Sequence, residues 1–240
     1  MNSVSRTDET ALRNEATGIT AAAFGIIFGI SGMVHGFFET LQGNVPTGGL
    51  FINAIGESNK MWLYGDEPAF TVIPNFLITG IVAIISGFSI IVWSLFYLRR
   101  KTGPLIFTLL FILLFLTGGG VAQILFFIIA CAFATRINKP LKWWKKALPA
   151  ALRIIIARFW LTFLIAFSIL MMFSLEIANF GFVPGISNPD SISSVMMTSV
   201  LSGLAFLIPA FISGFAYDIS KQDSGRVPPA SLSQKLEGRV

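Results

Sequence analysis

The chain carries one histidine, His35, and it stands four residues before Glu39 in the run "GIIFGISGMVHGFFETL", Gly25 to Leu41. Positions four apart on a helix are neighbours on one face, so this imidazole and carboxylate can share a proton, a hydrogen bond or a polar ligand. Ser31 lies one turn earlier and brings a hydroxyl to the same region. The run is apolar enough to cross a bilayer, where ionisable groups are retained mainly when they pair or line a polar cavity. His35 and Glu39 therefore either bond each other and cap a helix end, or form part of a ligand site.

Other residues can join them. Gln123 follows three glycines in "TGGGVAQ", Thr117 to Gln123. Its amide is placed to satisfy backbone groups freed by the glycine break, while the carbonyls of Gly118–Gly120 alternatively suit an ion or polar substrate. Trp62, Tyr64, Asp66 and Glu67 occupy a long glycine-rich loop. They either close over His35 and Glu39 or, for the two aromatics, sit in an interfacial belt. Glu176, near the end of a later apolar segment, reads most simply as an interfacial residue facing water. The ligand-binding candidates are thus His35, Glu39, Trp62, Tyr64, Glu176 and Gln123.

Recognisable catalytic machinery is missing. There is no HExxH, G-x-S-x-G, Walker lysine loop or GxGxxG, and one histidine with one cysteine leaves little for a metal. No catalytic residue, metal or cofactor is expected, although an enzyme using His35 stays a minor alternative. Cys131, in an apolar run, reads as a small buried hydrophobe.

The elements that must position these groups follow from composition. Of 240 residues 54% are hydrophobic and 12% charged, with 24 phenylalanines, which is too apolar for a soluble domain of ordinary surface. Four hydrophobic segments are evident, at 18–41, 72–98, 154–178 and 193–216. The fold class is all-α: a polytopic helical membrane protein with four clear transmembrane helices plus a glycine-broken apolar region, 104–135, forming either a hairpin or one long kinked helix. Residues 1–17 form a polar cytoplasmic N-terminus unlike a secretory signal. Residues 18–217 form the membrane domain, and 218–240 a polar tail expected to be disordered.

Charge separates the two readings of 104–135. Arg99, Arg100 and Lys101 precede it, and Arg136, Lys139, Lys142, Lys145, Lys146 and Arg153 follow it, whereas 42–71 holds three acids and one lysine. The positive-inside bias puts both basic connections in the cytoplasm only if 104–135 crosses an even number of times, which favours a hairpin with both termini cytoplasmic. Lys142, Trp143, Trp144, Lys145 and Lys146 read as a membrane-surface element touching anionic headgroups. The net charge of +5 is accounted for in this way, and nucleic acid is not an expected partner.

In the first segment Gly18, Ala22, Gly25, Gly29, Gly32 and Gly36 fall within an arc of about 80° at 100° per residue. Such a bare face gains from close backbone approach by another helix. Gly80, Ala83, Gly87 and Ser94 give the second segment a matching stripe. Gly25, Gly29, Gly32, Gly36, Gly80 and Gly87 are therefore the packing candidates. On the same wheel Glu39 lies about 20° outside the arc and His35 about 60° beyond its edge, both turned inward. The expected function is binding or passing a small or lipidic ligand through the bundle, as a transporter-like protein or a membrane subunit. The alternative is a scaffold whose glycine face takes a partner helix. Expected partners are membrane lipids, with other membrane subunits or a second copy of the chain.

Overall fold

The computed structural model describes residues 14–225. In chain order they form α1 (Glu15–Leu41), β1 (Phe51–Asn53), β2 (Pro68–Thr71), α2 (Phe76–Phe96), α3 (Gly103–Leu116), β3 (Thr117–Gly120), α4 (Ile124–Ala134), α5 (Lys142–Ala147), α6 (Ala150–Ile156), α7 (Trp160–Phe180) and α8 (Pro189–Gly225). Four helical spans, Glu15–Leu41, Phe76–Phe96, Ala150–Phe180 and Pro189–Ser224, are long and apolar enough to cross a membrane. The protein is an all-α, multi-pass membrane protein, and its three strands are short.

Contacts between distant residues define two ends of the bundle. At one end the Asn138 side chain donates to the carbonyl of Arg100 at 3.3 Å. Asn14 N–H donates to the carbonyl of Ile137 at 2.9 Å, and Arg153 pairs with Asp223 at 3.3 Å. This basic end therefore collects the start of α1, the α2–α3 connection, the α4–α5 connection and the end of α8. At the opposite, strand end Trp62 Nε1 donates to the carbonyl of Ala178, and Tyr64 hydroxyl bonds Asp190.

The two ends decide how 104–135 is arranged. Arg100 and Asn138 meet, so α3 and α4 leave from and return to the same end as a hairpin; one long kinked helix would separate them. With 14 and 11 residues the arms are about 21 and 17 Å long, short of a hydrocarbon core of about 30 Å. A sheet joins the two arms. The glycine break runs extended as β3 and pairs antiparallel with β2, which pairs antiparallel with β1, in the order β1-β2-β3. All four residues of β3 are buried, so this non-helical backbone is shielded by protein and bonded through the ladder. The expected turn at Gly118–Gly120 is thus a strand, and the reversal is spread on through the 3₁₀ turn Val121–Gln123.

Helix α1 runs through the middle. Phe24 stacks on Phe167 of α7 and Phe211 of α8, and Phe28 on Phe126 of α4. Its small residues meet two different neighbours. A Cβ on Gly29 would lie 2.8 Å from the carbonyl oxygen of Gly87, and one on Gly36 would lie 2.5 Å from that of Gly80, so here α1 and α2 touch backbone to backbone. Gly25 instead receives Ser94 of α2 and Phe107 of α3, and Gly32 receives Leu114 of α3. These faces are covered by the chain's own helices.

Helix limits differ from the hydropathy limits where polar residues are buried. The α1 helix begins at Glu15, inside the 1–17 segment, and Asp218 is buried, with its two carboxylate oxygens accepting from Ala16 N–H, Thr17 N–H and Thr17 hydroxyl at 2.6–2.9 Å. That contact holds α8 helical to Gly225, so the first eight residues of the expected disordered tail are ordered. The rest of that tail, and residues 1–13, lie outside the described residues. In α5, Lys142 and Lys146 are exposed and Trp143 is 67% exposed, while Trp144 turns inward onto Phe215 and Lys145 pairs with Asp223.

Candidate functional site

Ser31, His35 and Glu39 repeat every four residues along α1 and are all buried, at 3%, 2% and 0% exposure. β3 lies directly against two of them, His35 and Glu39. Gly118 has φ +106°, and a Cβ there would collide with the Glu39 carboxylate. Two residues on, a Cβ at Gly120 would lie 2.8 Å from His35 Cε1 and 3.0 Å from Gln123 Nε2. Residues two apart in a strand face the same side, so the glycines form one smooth wall against both side chains. The left-handed backbone at Gly118 and the clash at both positions are why a glycine run stands here.

The 3₁₀ turn after β3 delivers Gln123. Its Nε2 donates to Ser31 Oγ at 2.7 Å and lies 3.2 Å from His35 Nε2. From the other side comes Glu67, immediately before β2, with Oε2 3.5 Å from the same His35 nitrogen. This geometry constrains the proton. With the amide nitrogen facing His35, the ring nitrogen accepts from it and the ring hydrogen is on Nδ1. With the amide reversed, the ring nitrogen is a donor shared by Gln123 and Glu67.

Several atoms of the cluster have no hydrogen-bond partner among the described residues: His35 Nδ1, both carboxylate oxygens of Glu39, and Gln123 Oε1. Buried groups of this kind are almost always partnered, and these four lie together in one cluster. Glu67 is the most exposed member, its side chain 15% accessible. Burial pushes its carboxyl up to about 7 from the ordinary 4.5. Its neighbour Asp66 is the opposite case, held below its usual range by Lys60 at 2.8 Å. Among the described residues no group of three or more His, Cys, Asp or Glu side chains is arranged to hold a metal ion.

Of the sequence candidates, the fold brings together His35, Glu39 and Gln123. His35 and Glu39 do not cap the helix by bonding each other; His35 turns to Gln123 and Glu67, and Glu39 has no partner. Gln123 does not serve the freed backbone, which the β2–β3 ladder satisfies, and its amide goes to side chains instead. The amide also stands between Ser31 and His35, so serine and imidazole are not paired as nucleophile and base. Trp62 and Tyr64 bond to α7 and α8, not to the side chains of the cluster. Trp62 lies against Gly181, the left-handed residue ending α7, and both aromatics clasp the long loop to α7 and α8. Glu176 is exposed on α7, away from the cluster.

Glu67 is the member of the candidate site that the sequence leaves undistinguished: it is one of four loop residues, and nothing local shows that the strand after it pairs with the α3–α4 hairpin. Gly118 and Gly120 were legible as a break but not as a wall.

No protein-family model matches the chain, and neither the curated proteins nor the solved structures give a match.

Proposed function

We propose that this protein takes a small polar ligand into the cluster of His35, Glu39, Gln123 and Glu67 at the strand end of its bundle, acting as a membrane binding or transport protein. The observation that carries the reading is the set of partnerless buried polar atoms, His35 Nδ1, Glu39 Oε1 and Oε2, and Gln123 Oε1. Leaving such a group unsatisfied costs roughly 1–3 kcal/mol, more for a charge, and an apolar residue at position 39 would avoid it. A ligand that meets these atoms gives the arrangement a purpose that packing does not.

Orientation belongs to the same reading. The cations of 99–101 and 136–153 collect at one end, which faces the cytoplasm by the positive-inside bias, so the strand end and Glu67 face outward. Both described termini lie at the basic end. Cysteines placed at Lys101 and Lys145 in a Cys131-free background will be labelled from the same, cytoplasmic side of the cell membrane. Labelling of the two from opposite sides overturns this orientation.

The binding reading is tested with the full chain in detergent, melted in the presence of small ammonium, carboxylate, phosphate and sugar solutes. At least one class should raise the melting temperature saturably in wild type and fail to do so in Glu39→Gln and His35→Ala. If no solute gives a shift that depends on Glu39 or His35, the cluster is structural and the reading fails.

A further inference from the structure

The balance of donors and acceptors in the cluster carries the reading further. Its donors are few: the two amide hydrogens of Gln123, one ring N–H of His35 and the Ser31 hydroxyl. Both amide hydrogens point at Ser31 and His35. Against them stand the two oxygens of Glu39, Gln123 Oε1, the Glu67 carboxylate and the second nitrogen of His35. Acceptors exceed donors, so the missing partner is a donor. The charges agree when Glu39 is ionised, because the Glu67–His35 pair supplies no net positive charge to it. Glu39 has no cationic partner, whereas Glu57, Asp66, Glu15 and Asp223 each have a lysine. A carboxylate at this depth needs an opposite charge.

Resting on the proposed binding reading, the geometry points to a small monovalent cation with N–H donors, ammonium or a primary amine, as the ligand held by Glu39 and Gln123 Oε1. An alkali or alkaline-earth ion fits less well, because such hard ions take several oxygen ligands and only three acceptor oxygens stand open here, the two of Glu39 and Gln123 Oε1. A divalent transition metal would need more nitrogen or sulfur than this cluster contains. The close wall of Gly118 and Gly120 favours the smallest members of the class. A neutral donor would satisfy the hydrogen bonds but leave the charge of Glu39 unmatched. Glu67, partly accessible at the strand end, is the group a cation meets first.

The test uses the purified full chain in detergent, melted against increasing ammonium chloride or methylammonium chloride at constant ionic strength. Sodium chloride, tetramethylammonium chloride and acetamide serve as comparisons. Ammonium and methylammonium should raise the melting temperature saturably, by several degrees at a hundredfold excess over Kd, and the others should not. Glu39→Gln should remove the shift while the solute-free protein still melts cooperatively. Glu67→Gln, which leaves Glu39 in place, should weaken binding without abolishing it, and keeps the test valid if Glu39→Gln does not fold. An equal response to sodium overturns the donor argument, and one to tetramethylammonium shows that charge alone is read. A Glu39-dependent shift with acetamide, or with an anion, overturns the cation but leaves the binding reading standing. No Glu39-dependent shift with any solute overturns both.

Discussion

The two ends of α1 each bury a carboxylate, and they treat it in opposite ways. At the basic end Asp218 reaches across from α8 to the first turn of α1 and accepts three hydrogen bonds, two of them from backbone N–H groups. The N-cap residue Asn14 makes no side-chain cap, so a carboxylate about two hundred residues away does that work, at the positive end of the helix dipole. At the strand end Glu39 belongs to the last turn of the same helix, toward the negative end of the dipole, and neither of its oxygens has a partner. One carboxylate is fully used by the fold. The other is held in place by glycine backbone and left chemically open. Both are buried, and only Asp218 is satisfied by the described residues.

This contrast can be broken at either end. The largest effect is expected for Asp218→Ala, which strips the cap from α1 and should lower stability by about 3 kcal/mol, read by denaturation of the full chain in detergent. Gly118→Ala comes next. It forces a side chain into the left-handed region and against the Glu39 carboxylate, a change expected to cost about 2 kcal/mol in the same assay and to weaken ligand binding. A loss as large for Glu39→Ala as for Asp218→Ala would erase the distinction between the two carboxylates.

Acidity sharpens it further. Burial raises the Glu67 carboxyl to about 7 from 4.5, so the folded protein holds this proton more tightly than the unfolded chain. The stability that Glu67 contributes should be fully present below about pH 4.5 and be lost as pH rises through about 7, a change of about 1 kcal/mol because the ionised side chain can turn to water. The facing titratable group is His35 of α1, and adjacent Asp66 is held by Lys60. Melting curves of wild type and Glu67→Gln between pH 4.5 and 8 check this, and the variant should lack that portion of the slope. The smallest effect is expected for Glu39→Gln without solute, a change of about 1 kcal/mol or less, since no hydrogen bond within the protein is lost. A large destabilisation there would show that Glu39 is structural after all.

Much of the architecture is legible along the chain because a membrane span is a local property. About twenty apolar residues must satisfy their backbone internally, so the spans at α1, α2, α7 and α8 declare themselves by length and hydropathy. The 3–4 spacing of Gly25, Gly29, Gly32 and Gly36 likewise shows a bare face. It does not show that Gly29 and Gly36 would touch α2 backbone while Gly32 would take Leu114 of α3. The sheet was not legible, for strands of three or four residues carry no periodicity and β3 is largely glycine. Glu67 could not be weighed for the same reason, since only the β2–β3 pairing carries it to His35.

By itself the sequence determined that the chain crosses a membrane several times, which helix bears the ionisable pair, and where the helical pattern breaks, because hydropathy, helical phase and glycine content act over a few neighbouring residues. Tertiary structure decided that 104–135 doubles back, that Asp218 closes one end of α1, and that Glu67, Gln123 and Gly118 assemble around His35 and Glu39. Those outcomes depend on hydrogen bonds and steric contacts between residues from about thirty to two hundred positions apart, and no local pattern encodes which distant partner a polar group will meet.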